Sequence, residues 1–150
     1  MNRRGAETQS FRGVTEQVIG ACIEIHRQLG PGLLESAYEE CLCYELSMRK
    51  LSFERQKPLP VKYKGVNLDC GYRLDLVVED RIVVELKTVE EILPIHEAQL
   101  LTNLKISRLS LGLLINFHVP VLKEGIKRIA NNFVDSSASL RLCGEKGFQL

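Results

Sequence analysis

The segment Arg73-Leu74-Asp75-Leu76-Val77-Val78-Glu79-Asp80-Arg81-Ile82-Val83-Val84-Glu85-Leu86-Lys87 leaves this chain few ways to fold. It reads as two β-strands around a tight turn, because apolar and β-branched runs flank a polar Glu-Asp-Arg. Side chains along a strand alternate faces, and directly paired residues share a face. If Glu79-Asp80 is a two-residue turn, Asp75 pairs with Val84 and Glu85 points to the other face. If the turn is centred on Asp80, Asp75 pairs with Glu85, Arg73 with Lys87 and Val77 with Val83. The opposite face then carries Leu74, Leu76, Val78, Ile82, Val84 and Leu86 and is wholly apolar. Only the second register separates a charged face from an apolar one, and a one-residue slip would bury charge. The three-residue turn it requires calls for one residue in the left-handed region, a conformation Asp80 tolerates.

A strand pair buried on both faces has no use for Asp75, Glu85 or Lys87. Two facing carboxylates suit one hard divalent cation, which takes oxygen ligands and, as magnesium, keeps several waters. Such an ion lowers the pKa of bound water and offsets charge on a scissile phosphate. Lys87, two residues after Glu85 on the same face, is placed to hold that water or phosphate. A Glu85–Lys87 ion pair on a solvated face explains Glu-x-Lys equally well. The facing Asp75 and the clean division of faces are what favour a site. Further upstream, Glu35 and Tyr38 lie one turn apart on one face of a predicted helix. A helix-start acid favoured by the dipole, with a half-buried tyrosine, accounts for that spacing without any chemistry.

The chain has 150 residues, 45% hydrophobic and 26% charged, which suits one globular domain with a sizeable core. Net charge is only +1, so any nucleic-acid surface has to be a local patch. No apolar run is long enough to span a membrane. Met1-Asn2-Arg3-Arg4-Gly5 is basic but no apolar segment follows it, unlike a secretory signal. The five cysteines, Cys22, Cys41, Cys43, Cys70 and Cys143, are odd in number and form neither Cys-x-x-Cys nor a zinc-finger spacing with the three histidines. They read as buried free thiols of a reducing, cytoplasmic compartment.

Along the chain, residues 1–12 read as a polar arm. A helix capped by Gly13 or Thr15 runs to Leu29, with Val14, Val18, Ala21, Cys22, Ile25 and Leu29 on one face. Gly30-Pro31-Gly32 stops it. A second helix spans residues 34–50, with Leu34, Ala37, Tyr38, Cys41, Leu42 and Met48 as its apolar stripe. Short strands follow at 53–57, 61–63 and 66–68, then the hairpin. Pro94 opens a helix to Lys105. Residues 109–116 form a buried strand, and a short helix follows Pro120. One domain over residues 1–134 and a polar tail over 135–150 complete the expected organisation. Helices and strands interleave, so the class is mixed α/β. His26 reads as a surface or boundary residue, His96 as a helix-start histidine, and His118 as a loop residue. Lys105 with Arg108, and Lys123 with Lys127 and Arg128, read as solvated charge or as a phosphate-contacting rim.

The run Leu29-Gly30-Pro31-Gly32-Leu33-Leu34-Glu35-Ser36-Ala37-Tyr38 resembles the signature of the GxxExxY protein family, a branch of the PD-(D/E)XK nuclease superfamily. The resemblance extends from Val14 to Asn132 and includes Asp75, Glu85-Leu86-Lys87, His96-Glu97-Ala98-Gln99-Leu100-Leu101 and Gly112-Leu113-Leu114-Ile115-Asn116-Phe117. It implies a restriction-endonuclease-like core, a central mixed β-sheet flanked by helices. It also implies Asp75 and Glu85 as metal ligands, Lys87 as catalytic lysine, Glu35 as an accessory carboxylate ligand, and Gln99 as a glutamine touching site or substrate. The implied cofactor is Mg2+ or Mn2+. Two positions depart from the pattern: Asn103 stands where relatives often carry tyrosine, and Leu74 where some carry proline.

Three functional classes follow. The first is a metal-dependent nuclease acting on DNA in preference to RNA. The second is a nucleic-acid-binding module with weak catalysis. The third is an interaction protein on the same scaffold, with a homodimer open. Retention of Asp75, Glu85 and Lys87 favours the first, and the small net charge favours the third.

Overall fold

A computed structural model describes residues 10–132. Residues 1–9 and the expected tail, 135–150, lie outside the described residues, and so does the domain boundary at residue 134. Helix α1 is Phe11–Leu29, and Ser10 caps it by accepting a hydrogen bond from the Gly13 amide at 3.0 Å. The helix therefore starts earlier than expected, and neither Gly13 nor Thr15 is the cap. Val14, Val18, Ala21, Cys22 and Ile25 are buried as the 3.6-residue period requires, whereas Leu29 is exposed at the last turn. Helix α2 is Glu35–Met48. Leu34, expected in its apolar stripe, is 76% exposed outside the first turn, and Met48 is exposed at the last; Tyr38 and Leu42 face inward as expected, joined by Leu46.

Strands β1 (Phe53–Pro58), β4 (Arg73–Val78), β5 (Ile82–Lys87), β6 (Leu111–Asn116) and β7 (Ile126–Ala130) form one sheet in the order β1-β4-β5-β6-β7. β2 (Val61–Tyr63) and β3 (Val66–Leu68) form a separate two-stranded ribbon. Helix α3, Pro94–Ser107, joins β5 to β6, which are parallel; the other ladders are antiparallel. The helix expected after Pro120 is one short 3-10 turn, Leu122–Gly125, and it leads into β7, a strand without alternating hydrophobicity that was not anticipated. The sheet is mixed and flanked by helices on both faces, as the restriction-endonuclease-like core requires. One apolar cluster holds Val18, Leu42, Leu46, Leu76, Val78, Val84, Leu86 and Ile115 under α1 and α2. The other holds Val77, Val83, Leu100, Leu104 and Leu114 under α3. Among the described residues no helix is long and apolar enough to cross a membrane.

The β4–β5 hairpin has the register centred on Asp80: Val78 pairs with Ile82, Val77 with Val83 and Leu76 with Val84. The turn differs in one respect. Both Glu79 and Asp80 are left-handed, each at φ 54°, and the Arg81 amide donates to the Val78 carbonyl at 3.0 Å. Ser52 holds the strained Glu79: the Glu79 amide donates to the Ser52 carbonyl, and its carboxylate accepts from the Ser52 amide and hydroxyl at 2.7 and 3.1 Å.

Beyond Leu76 and Val84 the hairpin ladder ends. The β1–β4 ladder skips Gln56, left-handed at φ 51° and opposite Asp75. With both neighbouring ladders interrupted there, strand alternation breaks. Leu74, expected beside Leu76 and Val78, packs instead with Leu59, Val77 and Val83 on the other side. The cysteine expectation also needs correcting. Cys22 is buried and Cys41 and Cys43 are half-buried, but Cys70 is exposed in the link between β3 and β4; all four are free.

Candidate active site

The interrupted ladders leave Asp75 and Glu85 at the end of the sheet with polar groups to satisfy. Asp75 does not continue the ladder opposite Glu85. Its Oδ2 accepts a hydrogen bond from the Leu86 amide at 2.9 Å. Burial raises the Asp75 carboxyl above its ordinary value; that amide, Lys87 and Gln56 oppose the shift, and Glu39 adds to it. Glu85 is half-buried, and its Oε2 is fully enclosed with no hydrogen-bond partner. Burial pushes the Glu85 carboxyl up to about 7, Asp75 and Glu35 add to the rise, and Lys87 and the Asn103 amide oppose it. These are the marks of carboxylates that lack a compensating cation.

Glu35 reaches the same place from α2. Its position depends on a loop of unusual backbone: Gly30 has φ 70° and Gly32 φ 109°. A side chain at either glycine would be strained there. The loop is pinned by Tyr38, which is 0% exposed. Its hydroxyl donates to the Gly30 carbonyl and accepts from the Leu33 amide at 3.2 Å. The ring stacks on Phe117 with centroids 4.2 Å apart. Phe117 in turn donates its amide to the Lys87 carbonyl at 2.9 Å. A continuous set of contacts thus links the backbone at Lys87 to the loop that presents Glu35. Glu35 is exposed as a residue, yet partial burial of its carboxyl, with Asp75 and Glu39 adding repulsion, raises it above the ordinary value; Lys87 lowers it. Asp75, Glu85, Lys87 and Glu35 therefore influence one another at one end of the sheet.

Gln99 is exposed on α3 and does not enter that acidic group. It lines a cleft of about 320 Å³ together with Glu85, Arg73, Tyr72, Thr102 and Asn103. Asn103, at the departure from the tyrosine pattern, is buried against Glu85. Several supporting residues were not singled out from the sequence. Glu39 is buried on α2 and accepts from Arg55 Nε at 2.6 Å and Gln56 Nε2 at 3.0 Å, tying α2 to the residue opposite Asp75. Asn116 is buried at the end of β6; its amide donates to the Val89 carbonyl and its oxygen accepts from the Val89 amide, fixing the chain just after Lys87. A polar residue closing an otherwise apolar run, as Asn116 closes Leu111–Asn116, was the available signal.

The histidines lie outside this group. His96 accepts from the Leu93 amide at the start of α3, as a helix-start histidine does. His118 is a loop residue 3.6 Å from Glu90. His26 is buried rather than superficial, with Nε2 2.9 Å from the Val119 carbonyl and its ring 6.2 Å from Phe117. No common rim forms from Lys127 and Arg128, since adjacent strand residues face opposite ways and Lys127 pairs with Glu97 at 3.3 Å.

The donor set fits a hard divalent cation. It offers carboxylate oxygens only, and the enclosed Glu85 Oε2 is an acceptor that the protein leaves unsatisfied. Among the described residues no three His, Cys, Asp or Glu side chains close into a ready-made metal cluster. Water or substrate oxygens would complete the shell of an ion held here, as is usual for magnesium. The family model described as PD-(D/E)XK nuclease superfamily matches residues 12–129. No curated protein and no solved structure matches.

Proposed function

We propose that this chain, which belongs to the PD-(D/E)XK nuclease superfamily, is a metal-dependent nuclease that hydrolyses phosphodiester bonds, in DNA rather than RNA, as a member of the GxxExxY branch. The observation that carries the reading is the enclosed, partnerless Glu85 Oε2 beside Asp75, with Lys87 on the same strand. Asp75 and Glu85 would hold Mg2+ or Mn2+, and Glu35 would contribute as an accessory carboxylate. When bound, the ion supplies an acidified water and a counter-charge for the scissile phosphate.

The chain's own residues divide the remaining work. The Leu86 amide fixes one oxygen of Asp75 at 2.9 Å, and the Gln56 side chain also favours the charged carboxylate. Lys87 brings a positive charge among three acids, where it can orient an attacking water or clamp a phosphate oxygen. The branch signature acquires a physical meaning: Gly32 permits the turn, Glu35 opens the helix toward the acids, and Tyr38 pins the loop. The placement of Gln99 and Asn103 in the cleft beside Glu85 fits contacts to substrate next to the cleaved bond.

The test compares wild type with Lys87→Ala on single-stranded DNA, duplex DNA and RNA, with Mg2+ or Mn2+. Loss of one positioned catalytic group should lower the rate on the order of a hundredfold or more. Indistinguishable cleavage by both proteins on every substrate would retire this function. Binding without cleavage would favour a catalytically weak nucleic-acid-binding module on the same scaffold.

A further inference from the structure

The ribbon β2–β3 is not needed for the core, and it leaves the sheet at the acidic end. It joins Pro58 of β1 to Arg73 of β4, two paired positions, and Arg73 is two residues before Asp75. Within the ribbon Val61 pairs with Leu68 and Tyr63 with Val66, so these four share one face; Lys62 and Asn67 share the other. Tyr63 is 60% exposed, and Lys64 at the turn holds its ammonium 5.5 Å from that ring. At the base, Tyr72 is 51% exposed and lines the Glu85 cleft with Arg73. Lys62, Lys64 and Arg73 are exposed, and among the described residues no carboxylate pairs with them. The one acid between residues 61 and 73, Asp69, accepts a hydrogen bond from the Gly71 amide within its own turn.

We propose that this ribbon is an arm that grips an unpaired, single-stranded stretch of nucleic acid and leads it to the Asp75–Glu85 site. Phosphates would meet Lys62, Lys64 and Arg73, while exposed bases stack on Tyr63 and Tyr72. Charge decides which side the substrate approaches. Lys62 and Lys64 on the ribbon and Arg73 at its base are cations without a carboxylate partner among the described residues, whereas the groove between α1 and α2 is rimmed by Glu24, Glu40 and Glu45, each already ion-paired to an arginine (Arg27, Arg55 and Arg49), which leaves no excess positive charge there. Aromatic faces interleaved with cations favour unpaired strands, since duplex bases offer their faces only to each other. The proposal rests on the nuclease reading for its substrate class.

The experiment separates the two. Full-length wild type, Lys62→Glu/Lys64→Glu and Tyr63→Ala are compared in two assays. One is fluorescence anisotropy of a labelled single-stranded oligonucleotide and of the matching duplex, in chelator, across a salt series. The other is cleavage of bis(p-nitrophenyl) phosphate with Mn2+, a diester too small to reach the arm. The double variant should weaken single-strand binding at least tenfold at low salt and reduce the salt slope by about two. Tyr63→Ala should weaken it about tenfold with the slope kept. Wild type should prefer the single strand, and all three proteins should cleave the small diester alike. Unchanged oligonucleotide affinity with the small diester still cleaved overturns the arm and leaves the nuclease standing. Arm-dependent binding with no cleavage by wild type supports the arm and retires the nuclease. A wild-type dimer that Tyr63→Ala dissociates, at constant oligonucleotide affinity, assigns the apolar face to a second copy and overturns the arm.

Discussion

At the scale of single residues, Glu85 controls how the protein responds to pH. Burial, then Asp75, moves its carboxyl from 4.5 to about 7. Between these values the folded chain retains a proton that the unfolded chain has lost. Stability without metal therefore falls as pH rises through that window, and the full penalty applies above it. Asp75 and Glu35 are raised as well and act in the same direction. Glu85→Gln removes the titration. In chelator its melting temperature should match wild type at acid pH and exceed it by about 5 °C at alkaline pH. Thermal melts at both extremes check this. A variant less stable than wild type at high pH would mean that the ionised carboxylate is already compensated within the protein.

Among the elements, the start of α2 matters most to the site. Tyr38 is the fixed point: its hydroxyl holds Gly30 and Leu33, and its ring lies on Phe117. Tyr38→Phe keeps the ring and deletes the hydroxyl. It should cost about 1 to 2 kcal/mol by denaturant midpoint, the usual range for buried partners left unpaired. It should also lower cleavage severalfold, because Glu35 follows the loosened loop. Tyr38→Ala should cost roughly 3 to 5 kcal/mol, since the stacked ring is lost as well. Equal stability of Tyr38→Phe and wild type would show that the loop is held by its own glycine geometry. The hairpin adds a second lesson at this scale. Its register was readable because a period of two leaves only one arrangement that keeps Asp75, Glu85 and Lys87 out of the apolar face. The fate of Leu74 was not readable, because it depends on an interruption at Gln56 in a different strand.

For the whole molecule, the proposed function makes the acids gathered at one sheet end a link between folding and metal binding. Each raised carboxylate is a cost to the folded state alone, and a cation that binds only that state offsets it. Divalent ion at a hundredfold excess over its dissociation constant should stabilise the fold by about 2.7 kcal/mol. The melting temperature should therefore rise in millimolar Mg2+ or Mn2+, more at pH 8 than at pH 6, because the proton on Glu85 competes with the ion. Asp75→Asn should abolish the rise. A rise of equal size in that variant would put the ion somewhere else. The sheet order β1-β4-β5-β6-β7 is what would make such a linkage: β4 and β5 bring the acids, and α2 and α3 close over opposite faces with Glu35 and Asn103.

The sequence alone determined the elements whose pattern is periodic and local: α1, α2, α3, the central hairpin with its register, and the pairing of apolar faces that makes the class α/β. Two-residue alternation also marked Asp75, Glu85 and Lys87 as charges out of place in an apolar hairpin, but the facing Asp75–Glu85 pair it implied is not in the ladder, which ends at Leu76 and Val84. Only the tertiary structure decided which half of each amphipathic stripe is covered. It left Leu29, Leu34 and Met48 in solvent and buried His26 against the Val119 carbonyl. It also recruited β7, Glu39 and Gln56, which no local pattern marks, and gave Asn103 and Asn116 their partners. The reason is that burial and hydrogen-bond partners are properties of surfaces brought together from distant parts of the chain, whereas periodicity is written within a single segment.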